Sequence, residues 1–209
     1  MDMGIACWQE RVRTVVEQVV KGLVDRMAVL GLIRQDQEQA YVYVIQLALE
    51  KTISVGILLV LGICYRVLVP TMLFLLALFA VKRRSGGFHI RSYAGCLAGT
   101  LVVYILFVKC LAGILADHMQ MTCILFLLSA LTAGIIGAVN HPNMNWDSRE
   151  YAGSKRIARL TILAETVVVA FMVVLGADRT ATVFIMFAMI LSAFLLVLAK
   201  IFGQEAEGT

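Results

Sequence analysis

Apolar residues recur at steps of three and four along the first helix that the sequence predicts, residues 8–33. The apolar positions are Trp8, Val12, Val15, Val16, Val19, Leu23, Met27 and Leu30, and charged residues lie between them. This helix carries too many charges to cross a bilayer, but its two faces suit a membrane surface or a partner helix. Gly31 and the polar run 34–39 are expected to end it. We therefore predict an N-terminal amphipathic segment over residues 1–40.

The next stretch, residues 41–81, is almost continuously apolar. A single helix of that length would extend about 60 Å, roughly twice the hydrocarbon core of about 30 Å. A helical hairpin that turns around Gly62, Tyr65, Arg66 and Pro70 fits better. Four more apolar segments follow at residues 97–116, 121–139, 160–176 and 180–201. The pattern predicts an all-α polytopic membrane protein with about six transmembrane helices, forming one transmembrane domain over residues 41–209.

The composition agrees with a chain whose solvent is largely lipid. Of its 209 residues, 61% are hydrophobic and 15% are charged, whereas soluble domains average about 45–50% and about 25%. The five cysteines are an odd number without a CxxC pair, which argues against a disulfide framework or a zinc knuckle. A net charge of +4, without a basic tract interleaved with aromatic residues, gives no reason to expect nucleic acid. We expect no metal site and no cofactor.

Lysine and arginine gather in the N-terminal region and in alternate connections between the predicted helices. The second connection holds Lys82, Arg83, Arg84 and Arg91, and the fourth holds Arg149, Lys155, Arg156 and Arg159. The remaining connections hold only Arg66 and Arg179. Under the positive-inside rule, both termini and the two long polar loops are expected in the cytoplasm.

The second connection also contains a histidine and a cysteine seven residues apart, His89 and Cys96, after the pair Gly86 and Gly87. An imidazole can take the proton of a thiol and later return it to a leaving group. In a regular helix, seven residues separate two Cα atoms by about 10.5 Å, which is beyond the reach of a catalytic pair. The hypothesis therefore requires that His89 lie outside the helix that contains Cys96.

The local sequence permits that arrangement. Ser92 is a suitable N-cap for a helix entering at Tyr93, and Cys96 would then lie in the first turn. There the positive end of the helix dipole stabilises a thiolate, and Arg91 would add to the same potential. Spacing alone leaves a second interpretation open, in which His89 is an interfacial polar residue and Cys96 is a packing residue.

The motif Arg-x-x-Gly-Gly-x-His-x6-Cys resembles the signature of the accessory gene regulator B (AgrB) family. Its members in this sequence are Arg83, Gly86, Gly87, His89 and Cys96. The second polar loop, residues 141–147 followed by Glu150, Lys155 and Arg156, also resembles the corresponding loop of that family. The similarity covers most of residues 41–201.

The resemblance implies a membrane cysteine endopeptidase that processes a quorum-sensing propeptide in Gram-positive bacteria. Cys96 would be the nucleophile and His89 the general base, and an acyl-thioester on Cys96 would promote closure of a thiolactone or lactone ring. The expected substrate is a short propeptide with an amphipathic leader and an acidic tail, which Lys82, Arg83, Arg84 and Arg91 would attract. The other expected partner is the bilayer of the bacterial cell membrane, with a homodimer as an open alternative.

Two intramembrane charges, Lys109 and Glu165, are costly in lipid and are therefore functional candidates. Their predicted depths argue against a direct ion pair. They support a rival function, a small peptide transporter or exporter without proteolytic activity. The residue that would orient His89 stays unassigned among Asn140, Asn143 and Asp147.

Overall fold

A computed structural model describes residues 18–34, 38–86, 93–139 and 147–203, and every regular element in these ranges is helical. The helices are α1 (18–29), α2 (Glu38–Cys64), α3 (Leu68–Ser85), α4 (Tyr93–Leu106), a π-helical segment (Phe107–Leu111), α5 (Ala112–Asp117), α6 (Met119–Ile136), α7 (Ser148–Val174) and α8 (Arg179–Ile201). The described residues divide into two compact units. The first unit comprises residues 18–34, 38–58 and 93–101, and the second comprises residues 59–86, 102–139 and 147–203.

The core of the first unit forms around α1. Its buried residues are Val20, Val24 and Ile33, against which Met27, Ala28, Val42 and Ile45 pack. Gly31 ends the helix with a φ of 68°, and the Leu32 N–H donates to the Met27 carbonyl at 3.0 Å, as in a Schellman motif. The helix therefore ends at Gly31, as the sequence predicted.

The apolar face predicted for α1 differs from the face that is buried. Val19, Leu23 and Leu30 are 64%, 48% and 73% exposed, whereas Val20 and Val24 lie in the core. Apolar residues thus occupy both sides of the helix, and the outward stripe is the one that the sequence singled out. Its placement on a membrane surface stays a prediction, as does the domain boundary at residue 40.

Residues 41–81 form two helices rather than one, as predicted, and a three-residue turn joins α2 to α3. Arg66 occupies the left-handed region with a φ of 60°, and the Val67 N–H donates to the Gly62 carbonyl at 2.8 Å. A Cβ atom on Gly62 would lie 2.8 Å from Thr71 Oγ1, so glycine allows the two helices to approach. Pro70 lies in the first turn of α3, where its missing N–H costs no hydrogen bond.

Five of the described helical stretches are long and apolar enough to cross a bilayer. They are Val44–Cys64, Gly95–Asp117, Met119–Ile136, Ser148–Val174 and Arg179–Ile201. The remaining long helix, α3, has 18 residues and carries three basic side chains in its last turn. The sequence predicted about six spans, whereas the described residues contain five such stretches, and α3 occupies the position of the remaining one.

Helix α8 lies at the centre of the second unit and packs against α3, α5, α6 and α7. Its residues 181–189 are all buried. Two phenylalanines of α8 form an aromatic cluster with Phe107. The centroids of the stacked Phe107 and Phe187 rings are 3.8 Å apart, and the Phe184 ring meets Phe107 edge-on with a centroid distance of 4.7 Å. Phe107 opens the π-helical segment, so this irregular turn is fixed by packing in the core.

The outer surface of the second unit is also apolar. Exposed large side chains include Val102, Leu106, Ile124, Leu128, Leu131, Ile135, Leu163, Val167 and Phe171. Soluble proteins rarely expose a continuous apolar surface, and helices that are apolar on all sides are typical of membrane spans. The chain is an all-α polytopic membrane protein, as the sequence predicted.

Candidate active site

Cys96 lies in the first turn of α4, which is described from Tyr93 onward. Its thiol is free and half-buried, and its carbonyl accepts a hydrogen bond from the Thr100 hydroxyl at 2.9 Å. Cys96 thus lies in the first turn of a helix, as the sequence predicted, and its role as a nucleophile stays a prediction.

Several residues of the predicted site lie outside the described residues, namely Gly87, His89, Arg91 and the expected N-cap Ser92. The pairing of His89 with Cys96 stays a prediction. Cys96 belongs to the first unit, and the other described motif residues belong to the second.

The end of α3 requires glycine at position 86. Gly86 has a φ of 70°, and its N–H donates to the Lys82 carbonyl at 3.2 Å. A Cβ atom on Gly86 would lie 2.9 Å from the Val139 carbonyl oxygen, closer than side-chain and carbonyl atoms pack. Glycine is therefore favoured at position 86 for two reasons: the backbone is left-handed there, and the Val139 carbonyl oxygen leaves no room for a Cβ atom.

The close contact between the end of α3 and Val139 joins two segments that are distant in the sequence. The Val139 N–H donates to the Ser85 carbonyl at 2.9 Å, while the Ser85 hydroxyl donates to the Val81 carbonyl. Ser85 precedes the loop that carries the Gly-Gly-x-His motif, and Val139 precedes the second polar loop. The two loops therefore leave the helices from adjacent points.

The first turns of α7 cover the carboxyl end of α6. The Tyr151 hydroxyl donates to the Ala138 carbonyl at 3.0 Å, and Arg159 Nε donates to the Gly134 carbonyl at 2.9 Å. The stem of Lys155 occupies the space beside Gly137, where a Cβ atom would lie 2.6 Å from Lys155 Cγ. Tyr151 and Arg159, eight residues apart on one helix face, thus donate to carbonyls at the end of α6 and just beyond it.

Asp147, one candidate for orienting His89, has a local structural role. Its carboxylate accepts the Glu150 N–H at 2.7 Å, and Glu150 in turn accepts the Asp147 N–H at 3.3 Å. This reciprocal capping box begins α7. The other two candidates, Asn140 and Asn143, lie outside the described residues.

Positive charge is concentrated at one end of the second unit. Seven basic residues lie in the last turn of α3 and the first turns of α7: Lys82, Arg83, Arg84, Arg149, Lys155, Arg156 and Arg159. The contacts of Ser85 with Val139 and of Tyr151 with Ala138 bring these turns to the same end. The charge asymmetry predicted from the sequence is thus a feature of the folded unit.

A family model of accessory gene regulator B matches residues 14–199. The chain belongs to the AgrB family. No curated protein and no solved structure matches it. The match begins at residue 14, so it includes most of the N-terminal amphipathic segment as well as the motif and both polar loops.

AgrB family proteins take part in processing quorum-sensing peptides, and this member is a multi-pass membrane protein. Its four described cysteines are free. Cys64 and Cys110 are exposed on the apolar surface, whereas Cys96 and Cys123 are half-buried. Cys123 lies in the second turn of α6 without a preceding Gly-Gly-x-His motif, which distinguishes the two thiols of equal burial.

The two intramembrane charges are separate in this AgrB protein. The Lys109 ammonium lies over the Tyr65 ring, 4.9 Å from its centroid, near the α2–α3 turn. Glu165 is buried in α7, and neither carboxyl oxygen has a hydrogen-bond partner among the described residues. Lys109 and Glu165 therefore form no ion pair with each other, as expected from their predicted depths.

Some residues around the site carried no obvious sequence signal. Ser85, Val139 and Ala138 contribute backbone groups to the contacts, so their side-chain types do not indicate the interactions. Tyr151 and Arg159 could have been found from their spacing, because residues four and eight positions apart share one helix face. Arg159 was expected to contribute to membrane topology, and its guanidinium also caps α6.

Proposed function

We propose that this AgrB protein is a membrane-embedded cysteine endopeptidase in which Cys96 is the nucleophile and His89 the general base. The observation that carries the proposal is the free, half-buried Cys96 thiol in the first turn of a helix, seven residues after His89 in the motif. The family supports a role in peptide processing, and a thiolate is the nucleophilic form of cysteine. Of the four described cysteines, Cys96 alone follows this motif.

The first chemical step is acylation of the enzyme. His89 takes the Cys96 proton, and the sulfur attacks the carbonyl carbon at the end of the signal core of the propeptide. The tetrahedral intermediate collapses with cleavage of the C–N bond, and His89 returns the proton to the departing amine of the C-terminal tail. The products of this step are a free tail and an acyl-thioester on Cys96.

The second step closes a ring and regenerates the thiol. A cysteine thiol or serine hydroxyl within the acylated core attacks the thioester carbonyl, and the bond to Cys96 breaks. The proton released by the attacking group returns to the Cys96 sulfur through His89. No water is consumed, and a thiolactone or lactone is formed. When the attacking group is a thiol, the acyl C–S bond that forms is of the same kind as the one that breaks. A thioester intermediate therefore suits this transfer, because the exchange changes the free energy little.

The proposed substrate is a short propeptide with an amphipathic leader and an acidic tail. The last turn of α3 carries Lys82, Arg83 and Arg84, of which Arg83 is exposed, and Arg91 lies between His89 and Cys96 in the sequence. A basic surface raises the local concentration of an anionic segment. We assign the reaction to the cytoplasmic face, because the positive-inside rule puts the basic end of the second unit there.

The rival function, peptide export along intramembrane charges, receives less support. A charged pathway would need Lys109 and Glu165 to face a common route. Lys109 instead contacts the Tyr65 ring, and Glu165 is buried on the inner face of α7. Export without proteolysis would also leave the Gly-Gly-x-His-x6-Cys motif without a role.

The test is processing of a co-expressed propeptide, which the proposal expects to be encoded beside this gene, in membranes and followed by mass spectrometry. Cys96→Ala should lower the cleavage rate by a factor on the order of 10³ or more, and His89→Gln by about 10²–10⁴. Cys123→Ala is the matched control, since Cys123 is a free thiol of similar burial near the start of a helix. Cleavage by Cys96→Ala at the wild-type rate would refute the proposal.

A further inference from the structure

Glu165 is the one carboxylate in the buried face of α7. That face comprises Ser154, Ala158, Ile162, Glu165 and Val169, and Glu165 itself is 9% exposed. Neither of its carboxyl oxygens has a hydrogen-bond partner among the described residues. An ionised carboxylate without a partner is highly unfavourable in an apolar interior, and polar groups buried in this way call for an explanation.

The helices packed against α7 supply no partner for this carboxyl group. These are α3, α6 and α8, and their charged or titratable side chains lie near their ends: Lys82, Arg83, Arg84, Cys123, Arg179 and Lys200. Within α7, Arg159 is the nearest cation along the helix, and it donates to the Gly134 carbonyl. None of these groups donates a hydrogen bond to Glu165.

The buried hydroxyl groups on the same three helices are also engaged. The Ser85 hydroxyl donates to the Val81 carbonyl, and the Ser192 hydroxyl donates to the Ala188 carbonyl at 2.8 Å. Thr71 bonds both the Val67 carbonyl and the Tyr104 hydroxyl. A single carboxyl group among such neighbours does not make a metal site, because a hard cation needs several oxygen ligands.

We propose that Glu165 is a proton-binding site inside the bundle, and that it holds its proton while α7 is packed against α3, α6 and α8. The bound proton removes the charge that this environment cannot accommodate. This site is independent of the proposed cysteine chemistry, which uses no residue of the buried α7 face.

Infrared spectroscopy of the full chain at neutral pH tests the proposal directly. A protonated carboxyl group has a carbonyl stretching band that an ionised carboxylate lacks. We expect this band in the wild-type protein and its loss in Glu165→Gln. The matched control is Glu150→Gln, because Glu150 is an exposed acid on the same helix, and its removal should leave the band unchanged. A wild-type spectrum without the band, or a band that survives in Glu165→Gln, would overturn the proposal.

A hydrophobic carbodiimide gives a second, site-specific measurement. The reagent adds a protonated carboxyl group across its C=N bond, and rearrangement leaves a stable N-acylurea on the side chain. Dicyclohexylcarbodiimide should therefore modify Glu165 at neutral pH and leave Glu150 unmodified, as read from the mass of the α7 peptide. Modification of Glu150 and Glu165 to the same extent would show that burial confers no special protonation and would contradict the proposal.

Discussion

The backbone N–H of Val139 donates a hydrogen bond to the Ser85 carbonyl at 2.9 Å. This contact joins the end of α3 to the segment that follows α6, and each partner stands immediately before a polar loop. Gly86 follows Ser85, and its missing side chain leaves room for the Val139 carbonyl oxygen. A change at this junction is therefore expected to disturb both loops of the AgrB protein together.

Replacement of Gly86 by alanine should impair both stability and processing. A left-handed conformation costs an alanine about 1–2 kcal/mol, and the new Cβ atom would lie 2.9 Å from the Val139 carbonyl oxygen. We expect a lower midpoint of thermal unfolding in detergent and slower cleavage at matched enzyme levels. Gly153→Ala is the control, because Gly153 lies in α7 with no atom within 4 Å of its Cβ position. Equal stability of the two variants would contradict this account.

The helical architecture was predictable because hydrophobic length is a direct consequence of bilayer thickness. The break between α2 and α3 followed from a segment too long for one span, and the turn lies at the predicted residues. The start of α7 was not predictable in this way. An apolar span was expected from residue 160, but the helix begins at Ser148, because a capping box and amphipathic first turns extend it beyond the apolar stretch.

The candidate site was predictable to a different degree. The types and spacing of His89 and Cys96 indicated thiol chemistry, since few residue pairs can supply a nucleophile and a base. The contact between Ser85 and Val139 was not predictable, because it is formed by backbone groups, which are the same for nearly every residue type. The position of Lys109 over the Tyr65 ring was not predictable either, because it depends on the conformation of the turn between α2 and α3 and not on the sequence around Lys109.

Arg159 should contribute to stability more than its neighbour Arg156. Arg159 caps α6 through the Gly134 carbonyl at 2.9 Å, whereas Arg156 is exposed on the same helix. Hydrogen bonds to charged groups contribute about 1.5–3 kcal/mol, and the exposure of Arg159 puts the expected loss at about 1 kcal/mol. We expect Arg159→Gln to lower the unfolding midpoint and Arg156→Gln to leave it unchanged. Both variants remove one positive charge, so equal shifts would assign the effect to charge rather than to the cap.

Single cysteines should report the orientation of the second unit. In a background without the native cysteines, Asp117→Cys and Leu175→Cys should react with a membrane-impermeant maleimide on intact cells. Arg83→Cys and Ser148→Cys should react only after the cells are permeabilised. All four native side chains are exposed, so access to the reagent is limited by the membrane alone. Labelling of Ser148→Cys on intact cells would reverse the orientation that we infer from the positive-inside rule.

The basic end of α3 should distinguish an acidic propeptide tail from a neutral one. Surface ion pairs contribute about 0–1 kcal/mol each, so replacing Arg83 and Arg84 by glutamine should slow processing of the acidic-tailed substrate several-fold. A substrate whose tail carboxylates are changed to amides should be slowed less, and added salt should narrow the difference by screening. The control is the double replacement of Arg149 and Arg156, which removes the same charge from α7. If these basic residues serve membrane topology alone, both substrates will be slowed equally once enzyme levels are matched, and tail recognition by Arg83 and Arg84 will be rejected.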